Sequence, residues 1–227
     1  MDPSTRRPLL VSFSGLDGSG KSTQIASLTK SLRRRGLAVR TFAFWDDVVV
    51  CTRYREGFVH RVYGSEKGIG APGRPVERCD KNVRAWYLTI ARSFLYLADA
   101  IHLCWVVNKV RGSNADVIVM DRYIYDELAN LPLSNPLTRA FVRFVAGLAP
   151  RPNIAYLLDA DPEAALSRKP EYPVEFMREC RNSYLQLAEM LGWATLISPL
   201  PLTASIKQVE NTLAPLLRHA AASNTPL

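Results

Sequence analysis

Gly15-Leu16-Asp17-Gly18-Ser19-Gly20-Lys21-Ser22-Thr23 fits the spacing G-x-x-x-x-G-K-[ST] of a phosphate-binding loop. Glycines at these places let backbone N–H groups turn inward around phosphate oxygens, and the start of a following helix adds positive potential. Lys21 would reach the β- and γ-phosphates of a nucleoside triphosphate, and the Ser22 hydroxyl a Mg²⁺ ion bound to them. Asp17 stands where the loop needs neither a turn former nor a core residue. A carboxylate there serves either the acceptor or the cation, or simply hydrogen-bonds the loop. Asp121-Arg122-Tyr123 follows an apolar run: Asp121 would hold Mg²⁺ directly or through water, and the Arg122 fork suits bidentate phosphate recognition. A helix cap followed by a surface arginine would use the same residues. Arg168-Lys169-Pro-Glu-Tyr-Pro173 puts two cations on a proline-stiffened loop. That suits a lid, about 168–174, neutralising charge that develops in phosphoryl transfer. Arg178 and Arg181 lie three apart on the segment that follows, so they can share a helix face with it.

The elements that must position these groups are legible around them. Leu9–Ser14 is a short apolar run rich in strand formers, and Lys21–Arg34 has helical periodicity through Ile25, Leu28 and Leu32, stopped at Gly36. Val39–Trp45 reads as a second strand. Residues 46–75 are irregular and read as a substrate-facing loop with a short helix. A long amphipathic helix is expected over Arg78–Val110, with Val83, Trp86, Tyr87, Ile90, Phe94, Leu97, Ile101, Cys104 and Trp105 as its apolar positions. Val117–Met120 is a third strand, followed by helices near Tyr123–Leu131 and Pro136–Leu148. Ile154–Leu158 is a fourth strand, and Asp161-Pro162 caps the next helix. Val174–Leu191 is helical, Ala194–Ser198 a fifth strand and Thr203–Ala222 a closing helix. Continuously apolar strands alternating with helices predict an α/β three-layer sandwich: a five-stranded parallel sheet with helices on both faces. Such sheets bind ligands beyond their strands' carboxyl ends. Those ends carry the glycine loop, Trp45-Asp46-Asp47, Asp121-Arg122-Tyr123 and Asp159, which puts Trp45, Asp46, Asp121, Arg122 and Tyr123 on the substrate side.

Composition narrows the classes. The 227 residues suit one domain spanning 1–227, and 48% hydrophobic with 22% charged excludes a disordered chain. The best apolar run, Phe94–Val107, is broken by Asp99 and His102, so no membrane partner is expected. Residues 1–40 hold eight basic and two acidic side chains, a net +6 out of +8 for the whole chain. That excess predicts anionic partners, although Arg33-Arg34-Arg35 also reads as a solvated helix end favoured by the dipole. Nucleic acid is not expected, because no aromatics interleave with the triplet. The dispersed Cys51, Cys79, Cys104 and Cys180 fit reduced thiols of a cytoplasmic protein. No zinc spacing occurs among them and His60, His102 and His219, and His102 reads as structural.

Together the glycine loop, the strand ending in Asp121-Arg122-Tyr123, and Ile154-Ala-Tyr-Leu-Leu-Asp159-Ala-Asp-Pro162 resemble the thymidylate kinases, and the likeness extends to Arg181 and Tyr184. The resemblance implies a P-loop NTPase fold and transfer of the ATP γ-phosphate to a nucleoside monophosphate, dTMP above all, with Mg²⁺ as cofactor. It implies Asp17, Lys21, Arg122 and Arg168 as the catalytic set, nucleotides as the small-molecule partners, and a homodimer joined through the long helix. Three departures lie on the acceptor side. The family's Arg-Glu-Pro-Gly-Gly stretch is replaced by Trp45-Asp46-Asp47-Val48, and its Ala-Asp-Arg by Ala98-Asp99-Ala100. Its small hydroxyl residues after Asp-Arg-Tyr become Asp126-Glu127-Leu128-Ala129-Asn130. Arg74, Arg78, Lys81, Arg84 or Arg92 could replace the lost arginine. Alternatively the acceptor is a nucleoside or another hydroxylated molecule, with Asp46 or Asp47 as general base, as in the similar deoxynucleoside kinases. A regulatory module that binds ATP without transferring phosphate is a third reading.

Overall fold

Five parallel strands in the order β2-β3-β1-β4-β5 form the centre of the computed structural model, which describes residues 7–50, 52, 86–192 and 194–222, with the backbone alone at 86–88 and 221–222. The strands are β1 (Leu9–Gly15), β2 (Val39–Ala43), β3 (Val117–Asp121), β4 (Ile154–Leu158) and β5 (Ala194–Ile197). The helices are α1 (Lys21–Arg34), α2 (Trp86–Arg111), α3 (Ile124–Leu128), α4 (Pro136–Leu148), α5 (Pro162–Arg168), α6 (Val174–Leu191) and α7 (Leu202–Ala222).

The central strands are apolar on both faces because both faces are covered. Leu10, Ile118, Met120 and Ala155 point into a core closed by α2, α3 and α4. Their alternating neighbours Val11, Phe13, Val117, Val119 and Tyr156 point into a second core closed by α1 and α7. A smaller cluster of Leu16, Ala160, Ala165, Tyr172, Phe176 and Met177 packs the glycine loop against α5 and α6. The register sets the glycine loop and the end of β3 side by side, with Phe13 opposite Asp121 and Gly15 opposite Leu158.

Local signals explain the helix starts. Asn135 accepts from the Leu137 amide ahead of Pro136, and Asp161 accepts from the Ala164 amide ahead of Pro162. Gly192 ends α6 in the left-handed region at φ 69°.

Two expectations are corrected. The second strand stops at Ala43, and Phe44–Val48 forms a π-helical turn in which the Val49 amide bonds to Phe44 O at 2.9 Å. The Asp47 carboxylate accepts from the Ala43 amide at 2.8 Å, ending the strand by capping that turn. The second correction is the face of α2. Ile90, Phe94, Ile101 and Trp105 are exposed, whereas Tyr96, Ala100, Leu103 and Val107 are buried. This helix is apolar on two sides, and its few polar groups decide which side turns in. Asp99, with no exposed surface, accepts from the Val50 amide at 2.9 Å, and His102 donates from Nδ1 to Val48 O at 2.6 Å. Thr89–Arg111 is also long and apolar enough to cross a membrane by length and composition. Arg74, Arg78, Lys81, Arg84, His60, Cys51, Cys79 and the start of the expected long helix lie outside the described residues; Cys104 and Cys180 are free thiols.

Candidate active site

Gly15–Gly20 bends between β1 and α1 in a conformation that three glycines make possible. Gly15, Gly18 and Gly20 have φ of 139°, 81° and 91°. A Cβ on Gly18 would lie 2.4 Å from Ala165 O, so the loop is wedged against α5 with no room for a side chain. Ser19 Oγ is buried and has no hydrogen-bond partner among the described residues. Lys21, 6% exposed, reaches back over the loop and donates to Gly15 O at 2.8 Å and Leu16 O at 2.7 Å. Burial first, and then the charge of Arg122, pull its pKa from 10.5 down to about 8, against the opposing pull of Asp17.

Beside this loop the chain crosses from β3 into α3. Arg122 takes a left-handed backbone, φ 67°, which is strained for a residue with a side chain. Its guanidinium pairs with Asp17 and, at 3.4 Å, with Asp126. Burial works against that charge, but Asp17 and Asp126 outweigh it and hold the arginine more firmly protonated than usual. Lys169 closes the cluster from the segment after α5, 3.8 Å from Asp17 and 3.1 Å from the buried Glu171. The structure therefore brings Asp17, Lys21, Arg122 and the Lys169 neighbour of Arg168 into one corner at the carboxyl edge of the sheet.

The remaining expected residues divide. Ser22 and Asp121 line one open groove of about 910 Å³ together with Asp47. Burial raises the Asp121 carboxyl above its ordinary value, with Lys21 and Arg122 opposing. A hydroxyl and one under-compensated carboxylate facing a phosphate loop is a donor set suited to Mg²⁺, which takes one or two carboxylates and completes its shell with phosphate and water. Ser22 and Asp121 thus fit the ion; no cluster of three His, Cys, Asp or Glu side chains that could hold a metal occurs among the described residues. Asp46 is exposed and Trp45 half-buried on the π-helical turn, which begins where Ala43 pairs with Asp121. Leu16 offers the loop its backbone, its side chain being in the core. Tyr123, expected on the substrate side, has its side chain fully buried in the core beside Met120, and its hydroxyl donates to Pro150 O.

Arg168 is exposed at the end of α5 and lines a separate cavity of about 250 Å³. Its other walls come from Ser19, Gln24, Asp159, Ala164 and the stretch 198–200 after β5. Those last residues were missed from sequence, although they follow a strand's carboxyl end and the same rule would have found them.

Comparison with known proteins gives a consistent result. No protein-family model matches the chain. A probable thymidylate kinase of Pyrococcus horikoshii is 26% identical over 94% of this chain and 97% of its own. One of Methanosphaera stadtmanae is 25% identical over 80% and 84%, and a thymidylate kinase of Bifidobacterium longum subsp. infantis 28% over 79% and 74%. Over most of its length the chain is similar to proteins named thymidylate kinase. That similarity sharpens the departures on the acceptor side. Where the thymidylate kinase pattern expects an arginine after Ala98-Asp99, this chain has Ala100, which is wholly buried, and Asp99 anchors the π-helical turn. Arg92 lies seven residues before Asp99, on the same face of α2, and is half-buried.

Proposed function

We propose that the chain transfers the γ-phosphoryl group of ATP to a nucleoside monophosphate, with dTMP as the acceptor: dTMP + ATP → dTDP + ADP. The observation that carries this reading is the meeting of Lys21 and Arg122 at one corner, with Asp17 between the phosphate loop and the arginine. Relatives named thymidylate kinase in archaea and a bacterium support the choice of acceptor.

In this reading the loop amides and the buried Ser19 hydroxyl receive the β-phosphate, and Lys21 moves from the loop carbonyls to the transferred group. The cavity walled by Gln24, Arg168 and residues 198–200 takes the base end of ATP. Ser22 and Asp121 would hold Mg²⁺, which would neutralise negative charge on the triphosphate. An oxygen of the acceptor phosphate attacks the γ-phosphorus in line, and the bond from that phosphorus to the β–γ bridging oxygen breaks, leaving ADP. Arg122 fixes the acceptor phosphate, while Arg168 and Lys169, on a lid at about 168–174, offset charge in the transition state. The active form is a homodimer, for which the exposed stripe Ile90, Phe94, Ile101 and Trp105 supplies an apolar face.

The test is dTDP formation from dTMP and Mg·ATP, followed by chromatography for the wild type and Lys21→Ala. Turnover by the wild type, lost in a variant that keeps its circular dichroism and a cooperative melting transition, is the expected outcome. Equal turnover by both proteins would refute the assignment.

A further inference from the structure

Asp126 is the residue on which the acceptor side of the site converges. It sits in the third position of α3 and is 4% exposed, flanked by buried Ile124, Tyr125, Glu127 and Leu128. Its Oδ2 accepts from the Tyr123 amide at 3.0 Å and from Ser14 Oγ at 2.6 Å. Its Oδ1 accepts from the Tyr184 hydroxyl at 2.8 Å and faces Arg122 Nη1 at 3.4 Å. These donors come from β1, the β3–α3 junction and α6, so one carboxylate ties three parts of the fold together.

Capping α3 needs only one of the two oxygens. The second is fixed between a tyrosine hydroxyl and the guanidinium, and a buried carboxylate persists only where it is paired in this way. Arg122 is then gripped from two sides, by Asp17 in the phosphate loop and by Asp126 in α3. That double grip fixes the guanidinium while the Arg122 amide donates to Phe13 O at 2.9 Å, and a guanidinium with five N–H donors still has donors to offer an incoming phosphate.

We propose that Asp126 is a positioning residue for phosphoryl transfer: acting through Arg122, and locked by Ser14 and Tyr184, it sets where the acceptor phosphate is held. The proposal rests on the kinase reading above and adds a residue to it. It also gives the departure at Asp126 a purpose, since an acid here replaces the small hydroxyl residues of the thymidylate kinase pattern.

The experiment compares the full chain with Asp126→Asn and Tyr184→Phe. The first readout needs no substrate: the side-chain ¹⁵N–¹H resonances of the Arg122 guanidinium, assigned by their loss in Arg122→Lys. Hindered, resolved Nη signals are expected in the wild type, and averaged signals in Asp126→Asn. The second readout is kinetic. For Asp126→Asn, kcat/KM for dTMP should fall by about tenfold or more, while KM for ATP changes less than about twofold. Tyr184→Phe should show the same split to a smaller degree, and it removes only one hydroxyl should Asp126→Asn fail to fold. On an Arg122→Lys background, Asp126→Asn should add less than about twofold, because the two residues act as a unit. Unchanged Arg122 resonances would overturn the proposal. So would acceptor and ATP constants that decline together with melting temperature, the mark of a merely structural residue. A wild type inactive on dTMP would refute the kinase reading instead, and the resonance comparison would still decide whether Asp126 holds Arg122.

Discussion

Replacing Lys21 by methionine should change how stability depends on pH. Lys21 is almost wholly buried, and burial followed by Arg122 brings its pKa to about 8. In the unfolded chain the same ammonium keeps a pKa of about 10.4. Between these values the unfolded state binds more protons than the folded one, so stability contributed by this group rises with pH. From pH 7 to pH 9 the folded lysine passes from about nine-tenths to about one-tenth charged, a relief of about 1.4 kcal/mol. Urea unfolding at both pH values, for the wild type and Lys21→Met, isolates this quantity. The stability difference between the two should move by about 1.4 kcal/mol in favour of the wild type as pH rises. Subtraction removes the opposing effect of Tyr123, Tyr125 and Tyr184, whose pKa values burial raises. The same titration should weaken ATP binding about tenfold between pH 7 and pH 9, because the bound triphosphate requires the charged lysine. A stability difference that is flat with pH, together with pH-independent ATP affinity, would refute the reasoning.

Gly18→Ala should lose ATP affinity by more than about tenfold, since its Cβ meets Ala165 O at a positive φ. Gly36→Ala, at φ 80° but in open space, should cost only about 1 kcal/mol and leave ATP binding unchanged, as calorimetry on the two variants would check. Arg181 pairs with both oxygens of Asp159 at 2.6 and 2.7 Å while partly exposed. Arg181→Ala should therefore cost about 1 kcal/mol in chemical denaturation, and less at high salt. The proposed homodimer predicts that Phe94→Asp sediments as a monomer where the wild type sediments as a dimer, with unchanged circular dichroism; equal sedimentation coefficients would remove the α2 stripe from the interface.

What sequence made legible was whatever depends on near neighbours. The glycine loop, the Gly36 stop and the Asp161-Pro162 start are each specified within a few residues, and their helices begin or end where expected. The strands were visible because burial on both faces leaves them uniformly apolar. What escaped depends on distant partners. Asp126 meets Ser14 across 112 residues and Tyr184 across 58, so its position at the centre of a network has no local signature. Phe94 and Leu103 are equally apolar, and only the anchoring of Asp99 and His102 to the π-helical turn decides which of them faces solvent. The turn itself was hidden because Phe44 and Trp45 extend the strand-like composition past the point where Asp47 caps Ala43.

The measurement that bears most directly on phosphoryl transfer to a nucleoside monophosphate is ADP release from Mg·ATP with dTMP, other nucleoside monophosphates, thymidine or no acceptor. Saturable turnover with dTMP, well above thymidine and the acceptor-free control, is the predicted result. Turnover with thymidine but not dTMP would contradict it and indicate a nucleoside acceptor. Silence with every acceptor, while ATP still binds, would contradict it in favour of a regulatory module.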